Sequence, residues 1–548
     1  QFLYFIARVP FAPHMRRVSL ASTAAAVLLA FAACAAAVAT PPEDLLASGT
    51  VKHVTSLPGW NASTPLPCQL FSGFVPITDG AEAGQDMKMH YLLYGQEGHN
   101  VSDATDDAPV IIWYNGGPGA PSSWGTFIEN GPMLTNEQSW TLPMYDPATG
   151  TPALVPNPWA WTKFGTILAF SNPPPTGFSY CNPPGPGGDG GACGQWNDTR
   201  VGIVNAQAIH EVLTNHFPAL LANAKRPVYV IGESYAGAYI SETVHQIASN
   251  ARYAKVGSHI DGVGLGDACM GTEQVCGGHR GPKAWLDFFY GHSQLPTDMW
   301  QAVNAACTQH ELRWGDLSAA CKAKVDAAYK AVGSYYVYNL YDNCPDPMFG
   351  ASQANKRARE MRALSLLRGE PQASMPKVPH FNGYWCPGKV FVNYMNMTSV
   401  RAALGVPADS LFFIADDARG MPYDTNLKNA FPYWAALLNN KTITGAPSTL
   451  TRPFRLMSYN GDADTAVPTT ETEPAWYAFA ANNSFTKSAE WRQWMTQAAV
   501  GGGYVVEWFN GRLSYVTVRG SGHMVPEYRA HAAHTLMQAF VNGKAPPA

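Results

Sequence analysis

The chain has 548 residues, 46% hydrophobic, 12% aromatic and only 14% charged, which excludes intrinsic disorder, a state that needs few aromatics and a high net charge. That length allows several domains or one large α/β domain with a sizeable core. With 36 basic against 40 acidic residues the formal net charge is −4, so no basic field attracts phosphates and no nucleic-acid partner is expected.

Met15-Arg16-Arg17 open a basic stretch ahead of the apolar run Ala24–Ala37, and Ala37-Val38-Ala39 offers a small-x-small cleavage pattern before Thr40-Pro41-Pro42. Residues 15–39 read as a cleaved signal peptide rather than a stable membrane anchor, and residues 1–14 as an upstream non-structural segment. Secretion agrees with glycosylation acceptors at Asn61, Asn100, Asn197, Asn396, Asn440 and Asn482. Ten cysteines also fit an oxidising compartment. Loss of Cys34 with the signal leaves an odd number, so at least one is unpaired or pairs between chains, which keeps a homodimer open. No Cys-x-x-Cys or His-x-x-x-His cluster offers a zinc site. No metal and no cofactor are expected.

Past Leu57-Pro58-Gly59, Phe71–Val75 and Met87–Tyr94 read as strands, the second alternating like an antiparallel pair at a sheet edge. Pro109–Tyr114 is a continuous apolar run ending in Asn115-Gly116-Gly117-Pro118-Gly119, a buried strand entering a tight loop. Thr166–Phe170 and Pro227–Ile231 repeat that pattern with a helical stretch, Thr199–His216, between them, a rhythm that predicts a parallel sheet. From about Gly257 the signal changes to helices, cysteines and charged segments such as Lys356–Arg368, which read as an inserted cap. Strands return at Phe454–Ser458 and Leu513–Val518, and a helix spans Ala530–Phe540. The chain divides into a first core half over 40–256, a cap or lid over 257–380 and a second core half over 381–548.

Gly232-Glu233-Ser234-Tyr235-Ala236-Gly237 directly follows the strand Val228–Ile231 and precedes a helical stretch. A serine between small residues on a sharp strand-to-helix turn is a nucleophile elbow. A hydroxyl is a weak nucleophile at its free pKa and needs a base held by an acid, in this fold in the order Ser, Asp, His. Asn460-Gly461-Asp462-Ala463-Asp464 follows one late strand and Gly520-Ser521-Gly522-His523 another. His523 is the candidate base; Asp462 and Asp464 compete for the acid.

On these residues the chain resembles the serine carboxypeptidase family of α/β-hydrolases. The resemblance rests on Trp113-Tyr-Asn-Gly-Gly-Pro-Gly119, Gly177-Phe-Ser-Tyr180, Gly232-Glu-Ser-Tyr-Ala-Gly237, Asn460-Gly-Asp-Ala-Asp464 and Gly522-His-Met-Val-Pro526. Softer matches are His292–Cys307, Tyr338-Asn-Leu-Tyr341 and Val400-Arg-Ala-Ala-Leu404, and the similarity runs from about residue 55 to the C-terminal end. It implies an α/β-hydrolase with a mostly parallel central sheet flanked by helices and an inserted helical cap. It also implies a serine-type carboxypeptidase of the secretory pathway, extracellular or in a vacuole or lysosome. Such an enzyme removes C-terminal residues from peptides or proteins through an acyl-enzyme at acidic pH.

Matched position by position, the resemblance makes Ser234 the nucleophile, His523 the base and Asp464 the acid, with Asp462 a turn residue. The backbone N–H groups of Gly117 and Tyr235 would form the oxyanion hole. Asn115, the Gly116 N–H, Glu129 and Glu233 would bind the substrate carboxylate, which works if Glu233 is protonated and Glu129 raises its pKa. Cys344 and Cys386 match a pair that the family bridges. Outside the resemblance, Cys181 with Cys193, Cys269 with Cys276 and Cys307 with Cys321 are guessed pairings, which would leave Cys68 over.

Two departures stand out. Pro118-Gly119-Ala120-Pro121-Ser122 lacks a cysteine that the family carries there, and Leu411–Leu437 lacks its partner, so that bridge is expected to be absent. Ser171-Asn-Pro-Pro-Pro-Thr-Gly177 holds three prolines expected to reshape the pocket edge. The rival readings are an acyltransferase of the same fold, in which an alcohol replaces water, and a non-catalytic binding or protective protein.

Overall fold

In the computed structural model, which describes residues 43–276, 281–342, 384–415, 420–497 and 500–548, one mixed sheet organises the chain. Its strands are β1 (Val51–Val54), β2 (Leu70–Ile77), β3 (Asp86–Tyr94), β4 (Val110–Tyr114), β5 (Thr166–Phe170) and β6 (Tyr180–Asn182). They continue with β7 (Val228–Glu233), β8 (Ile260–Gly266), β9 (Arg455–Gly461), β10 (Lys487–Gln497), β11 (Val500–Trp508) and β12 (Leu513–Val518). The spatial order is β1-β2-β3-β5-β4-β7-β8-β9-β12-β11-β10, with β6 paired to β3.

From β5 through β12 all neighbours are parallel; the flanking pairs are antiparallel. A parallel centre must be covered on both faces, which is why β4, β5, β7 and β12 are buried throughout. Alternation along β4 divides the core. Val110, Ile112 and Tyr114 pack with helices α2 (Asp198–Glu211) and α3 (Ala236–Ser249). Ile111 and Trp113 pack with α1 (Ser123–Ile128) and α8 (Ala530–Val541) on the other face.

The cap has its own core. Helices α4 (Lys283–Gly291), α5 (Thr297–Ala306), α6 (Gln309–Trp314) and α7 (Ala319–Val332) gather Phe288, Phe289, Val303, Leu312 and Val325. It is tied to the sheet by Trp285 Nε1 donating to Thr465 O at 2.8 Å and Leu340 N donating to Ala463 O at 2.8 Å.

Two expectations change. β3 is not at the sheet edge but third from it, and its burial is nearly continuous. Ile260–Gly266, assigned to the cap, is a strand between β7 and β9. The sheet therefore continues through Gly266, and α4 begins at Lys283. Its glycines hid it: a Cβ at Gly266 would lie 2.5 Å from the Tyr459 ring and one at Gly264 3.0 Å from Ile231, so large neighbours fill the space. The β10–β11 hairpin has no counterpart among the expected strands.

Disulfides join Cys181 to Cys193, Cys269 to Cys276 and Cys307 to Cys321. Cys386 is disulfide-bonded, and Cys68 is buried. Cys344, the signal peptide and Lys356–Arg368 lie outside the described residues. Asn61, Asn396, Asn440 and Asn482 are exposed and Asn100 and Asn197 half-buried.

Candidate active site

β7 delivers its last residue, Glu233, to a sharp turn. Ser234 takes φ 61°, and α3 starts two residues later. Only small neighbours allow this: a Cβ at Gly232 would lie 2.3 Å from Tyr114 O, and one at Gly237 2.1 Å from Cys269 O. Ser234 is half-exposed, and its N–H is anchored on Gly266 O at 2.8 Å.

The loop after β12 carries His523. Its N–H donates to Tyr338 O at 2.8 Å, and its ring stacks on the Tyr338 ring at 5.1 Å between centroids. Its Nδ1 lies 2.7 Å from Asp464 Oδ2. Fully buried Asp464 also accepts from Ala466 N at 2.7 Å and Val467 N at 3.2 Å. A carboxylate on Nδ1 sets the tautomer with its proton there, which leaves Nε2 basic. Nε2 is buried without a hydrogen-bond partner among the described residues, so no bond yet joins it to Ser234 Oγ. Such pairs commonly tighten only with substrate.

Asp462 faces elsewhere. Its Oδ1 accepts from Gly520 N at 2.6 Å and its C=O from His292 Nε2 at 2.9 Å, fixing the turn beside the His523 loop.

The loop after β4 brings in the second group. Asn115 Oδ1 accepts from Trp113 Nε1 at 2.8 Å and Gly125 N at 2.9 Å. Its Nδ2 therefore points the other way, donating to Glu129 Oε1 and Glu233 Oε1 at 3.0 Å each. Glu129, just past α1, is 1% exposed and Glu233 4%. Burial pushes Glu129 up to about 7. Burial, and then the neighbouring Glu129, push Glu233 well above the usual carboxylate range. The pair holds a proton where separate carboxylates would not.

Above the elbow, a Cβ at Gly116 would lie 2.4 Å from Tyr235 N and 2.8 Å from Ser234 Cβ. The N–H groups of Gly116, Gly117 and Tyr235 donate to no protein backbone acceptor among the described residues. The cysteine-free loop is held by a backbone hydrogen bond instead, Ala415 N donating to Gly119 O at 2.9 Å. Asn172 to Thr176, including the three prolines, is buried.

Two acidic residues that sequence reading passed over also come here. Glu527, four residues after His523, is buried and raised well above the usual range by burial and then by Glu129. Asp267, directly after β8, lies against Asp464. Placing 260–266 as a strand would have exposed Asp267, because an acid at the carboxyl end of a central strand is where this fold builds sites. Asp267, Asp464 and His523 bring ligand-type atoms within 4.8 Å of one another. Asp464 is committed to His523 Nδ1 and to two backbone N–H groups, unlike a ligand of an open metal site.

The comparisons agree with this geometry. The serine carboxypeptidase family pattern (Peptidase S10) matches residues 58–543. Serine carboxypeptidase-like 9 of Arabidopsis thaliana is 25% identical over 502 residues, 91% of this chain and 95% of that protein. Serine carboxypeptidase 1 of Hordeum vulgare is 24% identical over 532 residues, 90% and 92% of the two chains. The crystal structure of Kex1Δp, a prohormone-processing carboxypeptidase from Saccharomyces cerevisiae, shares the fold with a TM-score of 0.58 at 16% identity, covering 90% of this chain and 95% of that one. With an elbow serine, a paired aspartate and histidine, and a family pattern spanning nearly all the described residues, the chain belongs to the serine carboxypeptidase family of α/β-hydrolases.

Proposed function

We propose that this protein is a serine-type carboxypeptidase that removes C-terminal residues from peptides or proteins through an acyl-enzyme, working best at acidic pH. Ser234 Oγ attacks the scissile carbonyl and gives its proton to His523 Nε2, while Asp464 holds Nδ1–H and stabilises the imidazolium. The Gly117 and Tyr235 N–H groups receive the developing oxyanion. His523 then protonates the departing amine, and a water activated by the same nitrogen releases the acyl group.

One observation carries the exopeptidase reading: the Asn115 amide bridges two buried glutamates immediately beside the nucleophile. Two ionised carboxylates there would repel a substrate carboxylate. A pair that retains a proton can donate to it through Glu129 Oε2 or Glu233 Oε2, both without hydrogen-bond donors among the described residues. The same pair argues for water over an alcohol as acyl acceptor, since an acyltransferase has no C-terminal carboxylate to recognise.

Three disulfides support residence in the secretory pathway, outside the cell or in a vacuole or lysosome. No helix among the described residues is long and apolar enough to cross a membrane. The test is mass spectrometry of a peptide and its C-terminal amide incubated with the protein. Stepwise loss from the free acid, slow or absent for the amide, is expected. Equal internal cleavage of both, transfer to an added alcohol in place of hydrolysis, or a Ser234 inert to fluorophosphonate would each overturn the reading.

A further inference from the structure

A second buried carboxyl lies behind the Asp464–His523 pair. Asp267 directly follows β8, takes a positive φ of 44° and has no exposed surface. Its N–H donates to Tyr459 O at 2.8 Å. Its Oδ1 accepts from Asn460 Nδ2 at 3.0 Å and Gly461 N at 2.9 Å. Oδ2 has no hydrogen-bond partner among the described residues, and the Asp267 and Asp464 carboxyls each bring an oxygen within 4.8 Å of the other.

Two carboxyls in contact cannot both ionise without a cation between them. The titratable groups around Asp267 are Asp464 on the loop after β9, Glu233 at the end of β7, and the phenols of Tyr459 and Tyr515 on β9 and β12. His523 belongs to the same cluster. Asp464 has the imidazole and two backbone N–H groups to stabilise its charge, so it is the ionised member. Burial and Asp464 itself both push the Asp267 carboxyl upward.

We propose that Asp267 is a positioning residue that sits as the neutral acid, donates its Oδ2–H to the Asp464 carboxylate, and so holds Asp464 against His523 Nδ1 without adding charge to the triad. The proton stays on Asp267 throughout, and no bond is made or broken there. The inference rests on the triad reading of Ser234, Asp464 and His523.

Asp267→Asn replaces the O–H donor by an N–H of the same shape and removes the titration. In the full-length protein, its rate of Ser234 labelling by a fluorophosphonate should stay within about threefold of wild type, and the acid limb of the pH–rate profile should not move. Asp267→Ala, which removes the donor, should label at least about tenfold more slowly, and with an ester substrate should lower kcat rather than raise KM. An acid limb lowered by about a pH unit in Asp267→Asn would show that Asp267 is an anion supporting the imidazolium, and would overturn the proposal. So would an Asn variant no better than the Ala variant. Thermal melts decide the matter without catalysis, and whether or not the Ala variant folds. A neutral buried acid binds a proton that the unfolded chain releases above about pH 4, so wild type should lose Tm relative to Asp267→Asn as pH climbs from 4 to 7. The opposite trend would overturn the proposal. If wild type never labels, the functional reading fails, while the melting comparison still reports on Asp267.

Discussion

Glu129 Oε1 and Glu233 Oε1 lie 3.0 Å from one and the same Asn115 nitrogen, although one follows helix α1 and the other ends strand β7. This closeness sets the pH behaviour. Burial pushes Glu129 up to about 7, and burial with Glu129 beside it pushes Glu233 well above the usual range, so the pair starts to give up its protons only as pH rises through about 7. For a free-acid peptide KM should climb as pH rises through that range. An amidated or ester substrate should show no such rise. Glu233→Gln, a permanent mimic of the protonated acid, should flatten the alkaline limb for free acids. Identical profiles for free-acid and amidated substrates would remove Glu233 from carboxylate recognition.

The same proton has a thermodynamic counterpart. A carboxyl whose folded pKa is raised contributes stability that is complete below its unfolded value, about 4.3, and lost as pH rises through the folded one. For Glu129 that window closes at about 7. Melting temperature should fall from pH 5 to pH 8, and more shallowly in Glu129→Gln. Parallel wild-type and mutant curves would mean that Glu129 does not hold the proton.

How much of this was legible follows from the kind of signal each residue leaves. β4, β5, β7 and β12 are read easily because strands covered on both faces must be apolar without interruption. Ser234 and His523 sit on glycine-rich loops directly after such strands, so their places follow from the runs before them. β8 has three glycines where neighbouring side chains intrude, which erases its apolar pattern. The β10–β11 hairpin exposes Lys487, Ser488 and Glu490, and its Gly502 makes room for the Trp494 ring, a Cβ there meeting it at 2.3 Å. Asp267 and Glu527 are single acids with no local pattern. Only tertiary contact makes them members of a cluster. Asp462 and Asp464 are two residues apart on one turn, and composition alone cannot say which faces the imidazole.

Gly116 offers a geometric test of the oxyanion hole. A methyl group there would lie 2.4 Å from Tyr235 N and 2.9 Å from Glu233 O, both backbone atoms that cannot swing away. Gly116→Ala must displace the elbow or the loop, and misplacing an oxyanion donor costs about 10²–10³ in kcat. The loss should appear equally for ester and peptide substrates, because both form the same tetrahedral intermediate. A loss confined to free-acid peptides would instead assign Gly116 to carboxylate binding alone.

The two aspartates of the β9 turn give the sharpest contrast. Asp464 Oδ2 accepts Nδ1–H of His523 at 2.7 Å, and in Asp464→Asn an amide N–H can face that nitrogen instead. The imidazole would then keep its proton on Nε2, the nitrogen that must take one from Ser234. A fall of about 10⁴ in kcat with KM nearly unchanged is the expected result. Asp462 only accepts the Gly520 N–H through its side chain. Asp462→Asn retains that acceptor, so kcat should stay within about tenfold of wild type. Asp462→Ala orphans the Gly520 N–H and should cost about 1–3 kcal/mol of stability, read as a lowered Tm rather than as lost chemistry. Stopped-flow acylation with an activated ester, run beside thermal melts, separates the two effects. If Asp462→Asn lost as much of the acylation rate as Asp464→Asn, the histidine would be oriented by the whole turn, and Asp464 would no longer be the acid of the triad.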